Sequence, residues 1–122
     1  MTLAAAIYDF LSKYGLSVYE ETSVPTGDDA PDYPYMTYSL VAGYWGDGDQ
    51  PLTVNLWYRT SSNVEPNAKA QQIGDDIGEG GYQIPYDDGV VWIKRGTPFC
   101  QNMADESDRS IKRRYINLIL EF

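Results

Sequence analysis

The acidic residues are the side chains whose types and spacing are best suited to chemistry. Paired carboxylates can act as general acid and base, or they can bind a hard cation such as Ca²⁺. The clusters are Asp28/Asp29/Asp32, Asp47/Asp49, Asp75/Asp76/Glu79, Asp87/Asp88 and Asp105/Glu106/Asp108. None has the spacing of an EF-hand loop with its closing glutamate. Most lie among turn residues, where carboxylates are ordinarily solvated, so the sequence favours surface charge over a metal site and a metal site over catalysis.

The chain contains no histidine and a single cysteine, Cys100. The absence of histidine excludes nucleophilic triads built on that residue and zinc sites that combine histidine with cysteine. A single cysteine excludes an intramolecular disulfide. Catalysis would therefore have to rest on carboxylates, tyrosine or lysine, and a carboxylate-based hydrolase is the least favoured hypothesis. The sequence shows no motif for a metal or other cofactor.

Aromatic side chains offer a second kind of site. They can stack on sugars or nucleobases, or fill a protein interface. The candidates are Tyr44, Trp45, Trp57, Tyr58 and Trp92. Since the net charge is −9, a protein interface is favoured over a nucleobase site. The alternative is a small sugar- or calcium-binding module that uses Trp45, Trp57 and the Asp47-Gly48-Asp49 turn.

The charges are unevenly distributed along the chain. Residues 1–93 carry 14 acidic and 3 basic side chains, whereas residues 94–122 carry 4 acidic and 6 basic ones. The basic residues at 109 and 112–114 form a local patch that can contact nucleic acid or pair with acids of a neighbouring chain. An acidic protein repels DNA elsewhere on its surface, so we expect no specific DNA binding.

Alternating apolar residues predict the strands. The clearest case is residues 110–122, where Ile116, Leu118, Leu120 and Phe122 share one side. Residues 35–42 and 52–60 also alternate, and residues 90–103 are strand-like but interrupted at 96–98. Trp57 and Arg59 face away from the predicted core, which indicates a partner surface.

Two helices complete the predicted fold. Thr2 is a suitable N-cap for a helix that ends near Gly15, and Asn63 is a suitable N-cap for a second helix. The order α–β–β–α–β–β predicts one α+β domain over residues 1–122. In it, an antiparallel four-stranded sheet carries both helices on one face.

Targeting signals are not evident. No apolar run approaches the roughly 20 residues that cross a bilayer. The first residues also lack the basic segment and cleavage site of a secretory signal. The sequence therefore predicts a cytoplasmic protein that does not contact a membrane.

With these elements placed, the chain resembles the small tail-terminator (tail-completion) proteins of long-tailed bacteriophages and prophages, often labelled minor capsid proteins. Four features carry the resemblance. They are a first helix that ends at Lys13-Tyr14-Gly15, a proline-rich loop into Tyr33-Pro34-Tyr35-Met36-Thr37-Tyr38, a strand Val54-Asn55-Leu56-Trp57-Tyr58 followed by a helix with Ile73 and Ile77, and a last strand opened by Arg113-Arg114-Tyr115-Ile116.

The resemblance implies a non-enzymatic ring subunit of the virion. Proteins of this kind assemble as hexamers, cap the tail tube and join it to the head, and DNA passes through the lumen without specific binding. The implied partners are further copies of the chain, the tail tube protein and a head-closure or connector protein. The implied location is the tail or neck, after assembly in the host cytoplasm. Another head–tail connector protein is the alternative.

A ring needs two different contact patches on each subunit, and the uneven charge provides them. We predict that the subunit or partner interface includes Trp45, Asp47, Asp49, Trp57, Arg59, Arg109, Lys112 and Arg114.

Overall fold

The fold consists of two helices and six strands in a computed structural model that describes residues 1–40 and 48–122. In chain order the elements are α1 (Leu3–Ser12), β1 (Ser17–Glu20), β2 (Tyr35–Leu40), β3 (Gln50–Arg59), α2 (Val64–Ile77), β4 (Tyr82–Tyr86), β5 (Gly89–Ala104) and β6 (Ile111–Glu121). Two short 3₁₀ turns, Glu21–Ser23 and Gly27–Asp29, lie between β1 and β2.

The strands form one mixed sheet in the order β1-β2-β3-β6-β5-β4. Strand β1 is parallel to β2, and every other neighbouring pair is antiparallel. The last strand of the chain, β6, therefore lies in the middle of the sheet. It joins the β1–β3 part to the β4–β5 hairpin.

The predicted four-stranded antiparallel sheet is wrong. Strands β1 and β4 lie outside the four predicted strands. Each is held by pairing with a neighbouring strand, β2 or β5, and not by a strong alternation of its own. Strand β5 continues through 96–98, where a break was expected, and a register shift between Arg95 and Cys100 accommodates those residues. Positions 41 and 42 of the predicted first strand lie outside the described residues.

The helices begin and pack through local features that the sequence indicates. The Thr2 hydroxyl accepts a hydrogen bond from the Ala5 amide at 3.1 Å, which confirms the predicted N-cap of α1. Helix α2 has no side-chain cap bond from Asn63. Gly74 in α2 allows close packing, because a Cβ atom there would lie 3.0 Å from the Phe99 ring.

Both helices cover the same face of the sheet, which we call the covered face. Alternate residues of each strand point to it and form one hydrophobic cluster with the helices. The central strands contribute Met36, Tyr38, Leu52, Val54, Leu56, Tyr58, Ile116, Leu118 and Leu120. The opposite side, which no described helix covers, is called the open face. Within residues 1–40 and 48–122, neither helix has the length and apolar character that a membrane crossing requires.

Candidate functional site on the open face of the sheet

Two rows of directly opposed side chains cross the open face. The first runs over four strands in the order Tyr35, Trp57, Arg113, Met103, and we call it the aromatic row. The second runs beside it over the same strands in the order Thr37, Asn55, Tyr115, Gln101, and we call it the polar row. Register alone places these eight residues on one side, because their neighbours along each strand point to the covered face.

The aromatic row is a continuous set of contacts. The rings of Tyr35 and Trp57 are nearly parallel, at 13°, with centroids 6.1 Å apart. The guanidinium carbon of Arg113 lies 5.3 Å from the Trp57 ring centroid, within the range of a cation–π interaction. The same guanidinium donates a hydrogen bond to the Met103 sulfur. These contacts hold the planar groups of the row in a defined arrangement.

Further aromatic and charged side chains extend one end of this row. Tyr33 and Tyr19 contact the Tyr35 ring, with centroid distances of 5.3 Å and 6.3 Å. Arg59 lies over the Tyr33 ring at 5.1 Å, and its Nη1 is 3.2 Å from Asp108 Oδ2. The result is an aromatic surface bordered by paired charges.

The polar row contains a buried acceptor without a partner. Thr37 and Asn55 are only 5% and 7% exposed, although they lie on the face that no described helix covers. The Trp57 indole N–H donates to Thr37 Oγ1 at 2.9 Å. Asn55 Oδ1 is buried and accepts no hydrogen bond from the described part of the chain. Such an atom costs about 1–3 kcal/mol of desolvation, which no hydrogen bond among the described residues offsets.

A depression of about 300 Å³ lies at the end of the aromatic row. Trp57, Met103 and Arg113 form one side, and the turn between β5 and β6 contributes Asp105 and Glu106. The Ser107 hydroxyl and amide donate to Asp105 Oδ1 at 2.6 Å and 2.8 Å. These bonds lower the pKa of Asp105, so this carboxylate is ionised at neutral pH. The depression therefore combines an aromatic ring, a cation and fixed negative charge.

The other predicted interface residues are dispersed. Asp49 is exposed just before β3, at the opposite end of that strand from Trp57. Trp45 and Asp47 lie outside the described residues. Arg109 is exposed in the turn before β6, and its carbonyl accepts a hydrogen bond from Lys112 Nζ at 2.9 Å. Of the predicted residues that the structure describes, only Trp57 and Arg59 belong to the aromatic surface.

Arg114 is buried on the covered face, at 2% exposure. Its Nη2 donates to the side-chain oxygens of Asn63 and Asn67 at 2.8 Å and 3.0 Å, and its Nε donates to Asn67 at 3.1 Å. The guanidinium thus attaches the start of α2 to β6. The structure therefore removes Arg114 from the predicted basic patch and from the surface.

Sequence reasoning missed most of the open-face site. Tyr35, Asn55, Met103 and Tyr115 were not singled out, although the alternation of β2, β3 and β6 places three of them outward. The same alternation runs from Ile116 back to Arg114 and indicates that its side chain points inward.

A second polar cluster lies between the helices, beside a cleft of about 590 Å³. The Asp76 carboxylate is 2.5 Å from Lys13 Nζ and accepts a hydrogen bond from the Tyr14 hydroxyl at 2.7 Å. The Lys13 and Tyr14 hydrogen bonds lower the pKa of Asp76. Burial and the Asp76 charge raise the pKa of Tyr14 far above its usual range. All three groups satisfy one another, so this cluster joins α1 to α2.

No three acidic or thiol side chains in residues 1–40 and 48–122 are placed to hold a metal ion. No protein-family model matches the chain, and no curated protein matches its sequence.

Proposed function

We propose that this chain is a non-enzymatic structural subunit that assembles with copies of itself into the tail-terminator ring of a long-tailed bacteriophage. The ring would cap the tail tube and join it to the head. The observation that carries the proposal is the aromatic row on the open face. Its side chains are already arranged by contacts with one another, and none of them belongs to the hydrophobic core of the subunit.

The composition of this row is that of an interface. Tyrosine, tryptophan, methionine and arginine are the residue types enriched where proteins meet. Tryptophan, tyrosine and arginine also dominate the binding energy when they lie at the centre of such a contact. The aromatic row holds one tyrosine, one tryptophan, one arginine and one methionine, each on a different one of four adjacent strands. Their mutual contacts reduce the rotamer entropy that binding would otherwise cost.

The buried Asn55 carbonyl supports the same conclusion. Buried polar atoms in native proteins are nearly always hydrogen-bonded. A donor brought to the open face by another subunit would satisfy Asn55 Oδ1 and remove the cost of leaving it unpaired. This atom therefore favours assembly over a solitary subunit.

The charge of the chain fits the proposed location. With a net charge of −9, a ring of subunits would repel DNA from its wall and let it pass through the lumen. The partners that the proposal requires are the tail tube protein, a head-closure or connector protein and neighbouring copies of the chain. The site of action is the tail or neck of the virion.

The test is the mass of the purified protein in solution, by light scattering behind size exclusion, with electron microscopy of any large species. We expect hexameric rings, and we expect Trp57→Ala to dissociate them. Tyr8→Ala is the matched control, since Tyr8 is 46% exposed on α1 and lies away from the open face. A strict monomer at millimolar concentration, stabilised by Ca²⁺ or an oligosaccharide, would overturn the proposal in favour of a ligand-binding module.

A further inference from the structure

Strand β5 has a free edge beside its second half. The strand is 16 residues long, but β4 pairs with residues 89–93 only. Strand β6 pairs with the other side of β5 as far as Ala104. Along residues 99–104, the side of β5 that points away from β6 carries no strand in the described part of the chain. We call residues 99–104 the free edge.

A register shift and Pro98 directly precede the free edge, but the free edge itself carries neither charge nor proline against strand pairing. Natural proteins cover such edges, or place charges, prolines or bulges on them. The free edge reads Phe-Cys-Gln-Asn-Met-Ala, without a charge or a proline, in a chain of which 22% is charged. Gln101, Asn102 and Ala104 are exposed. An uncharged edge of this length is a site where an extended segment can add a strand.

Strand β1, at the opposite margin of the sheet, lies in the same register rows as the free edge. The strand pairs trace four rows across the sheet, from Ser17 to Met103, Val18 to Asn102, Tyr19 to Gln101 and Glu20 to Cys100. The four residues of β1 thus lie in the same four rows as residues 100–103. Strand β4 pairs with residues 89–93 of β5, so none of these four rows continues into β4.

The strand directions also agree. Strand β1 is parallel to β2, and the steps from β2 to β3, β6 and β5 are each antiparallel. Therefore β1 and β5 run in opposite directions. A second copy placed beside the first in the same orientation would pair its β1 with the free edge in the antiparallel manner, the more stable of the two pairings.

We propose that the free edge of one copy receives β1 of the next copy, so that the sheet continues from subunit to subunit. The inference rests on the proposed function, because it adds an edge-to-edge contact to the open-face contact through which the copies would assemble. The two margins differ, so the contact is head-to-tail, and repeating it gives a closed ring when the rotation per subunit permits closure. Tyr19 of the added strand would then extend the open face beside Gln101.

Cysteine cross-linking tests the pairing, with Cys100 as the only native thiol. Cys100 and Glu20 lie in one row, and Val18 points to the same side of the sheet two residues away. Under mild oxidation, Glu20→Cys should form intersubunit disulfides with Cys100, and Val18→Cys should do so if the register shifts by two residues. Opposed residues in an antiparallel pair meet the geometric limits of a disulfide.

Ser17→Cys and Tyr19→Cys are the matched controls, since both side chains point to the other side of the sheet. We expect them to cross-link at least an order of magnitude more slowly, and Cys100→Ala should abolish every product. Equal cross-linking at all four positions, faster cross-linking of the controls, or no cross-linking in protein that forms rings would overturn the pairing.

A proline pair gives a readout that does not depend on cysteine. The amides of Gln101 and Asn102 point alternately toward β6 and away from it. Of Gln101→Pro and Asn102→Pro, the proline whose position had its amide pointing away from β6 should keep the melting temperature within a few degrees and weaken self-association at least tenfold. The proline at the other of the two positions should lower the melting temperature, because it removes a backbone hydrogen bond to β6. Asn102→Thr, which keeps the amide at a residue outside the two rows of the open face, should change neither quantity.

The outcomes separate the two proposals. Rings that persist in both folded proline variants would overturn the strand pairing and leave the ring function standing. A wild-type chain that forms no ring would overturn both.

Discussion

The two faces of the central sheet differ in how completely the rest of the chain buries their side chains. On the covered face, Leu56 is fully buried between β2 and β6 beneath the helices. On the open face, the next residue, Trp57, stacks on Tyr35 and remains half-buried. Folding of the single chain explains the first environment. The second is the surface that the proposed assembly would cover.

The buried polar groups show the same contrast. Arg114 carries a charge into the covered face, yet Asn63 and Asn67 accept its hydrogen bonds. Asn55 brings only a neutral amide into the open face, yet its Oδ1 has no partner among the described residues. The charged group is satisfied, whereas the neutral one has no partner among the described residues, a difference that the proposed assembly on the open face would explain.

The largest difference in stability should appear when alanine replaces, one at a time, two neighbouring residues that point to opposite faces. Leu56→Ala should lower the free energy of unfolding by about 2–5 kcal/mol, because it leaves a cavity in the covered face. Trp57→Ala should cost about 1 kcal/mol from lost ring contacts but should abolish assembly. Urea unfolding of both variants measures this, and a Trp57→Ala loss as large as that of Leu56→Ala would erase the distinction between the faces.

Arg114→Ala should destabilise the subunit by about 3 kcal/mol, since it removes a large buried side chain and its bonds to Asn63 and Asn67. Arg114→Met fills most of the same volume and no longer buries a charge. We expect it to recover at least half of the loss. Thermal unfolding distinguishes the variants. Equal losses would show that the hydrogen bonds, and not the packing, determine the stability at this position.

Asn55→Leu should change the free energy of unfolding in the opposite direction. Replacing the unpaired amide with an apolar group of similar size should raise the free energy of unfolding of the monomer by about 1 kcal/mol, while weakening assembly. Denaturant titration at low protein concentration gives the first quantity, and light scattering gives the second. A clear loss of monomer stability would mean that Asn55 already has a partner within the subunit.

The smallest effect concerns Asp76 between the helices. Its pKa is lowered from the ordinary value of 3.8, chiefly by the hydrogen bonds from Lys13 and Tyr14. The stability that it contributes is therefore present above that pH, and it is lost as the pH falls through the folded-state pKa. Melting temperatures between pH 2 and 6 should fall less steeply for Asp76→Asn than for wild type. Asp75→Asn, at the neighbouring carboxylate, is the matched control.

The parts of the fold that local pattern determines could be predicted. The period-two alternation of β3 and β6 gave the buried side of each strand, and the outward direction of Trp57 followed from it. The Thr2 cap was predicted because the bond to the Ala5 amide is a local contact. These features depend on residues a few positions apart, and the sequence shows such relations directly.

The parts that depend on distant pairing could not be predicted. Strand β1 is short and exists through its pairing with β2, and β4 contains Pro85 and buries only Ile84. The aromatic row needs the order of four strands, which no local pattern contains. The buried Arg114 was hidden because its charge suggested a surface position, although its place in the alternation indicated the interior.

The central position of β6 has a consequence for folding kinetics. Its partner β3 lies about half the chain away in sequence, with Val54 opposite Ile116, so the sheet closes through contacts of high sequence separation. Such topologies fold slowly, because loop-closure entropy is lost before the long-range contacts form. Until β6 inserts, β3 and β5 each expose an inner edge to other unfolded chains. Slow closure would therefore place this protein among those that need dilution or chaperones to fold efficiently.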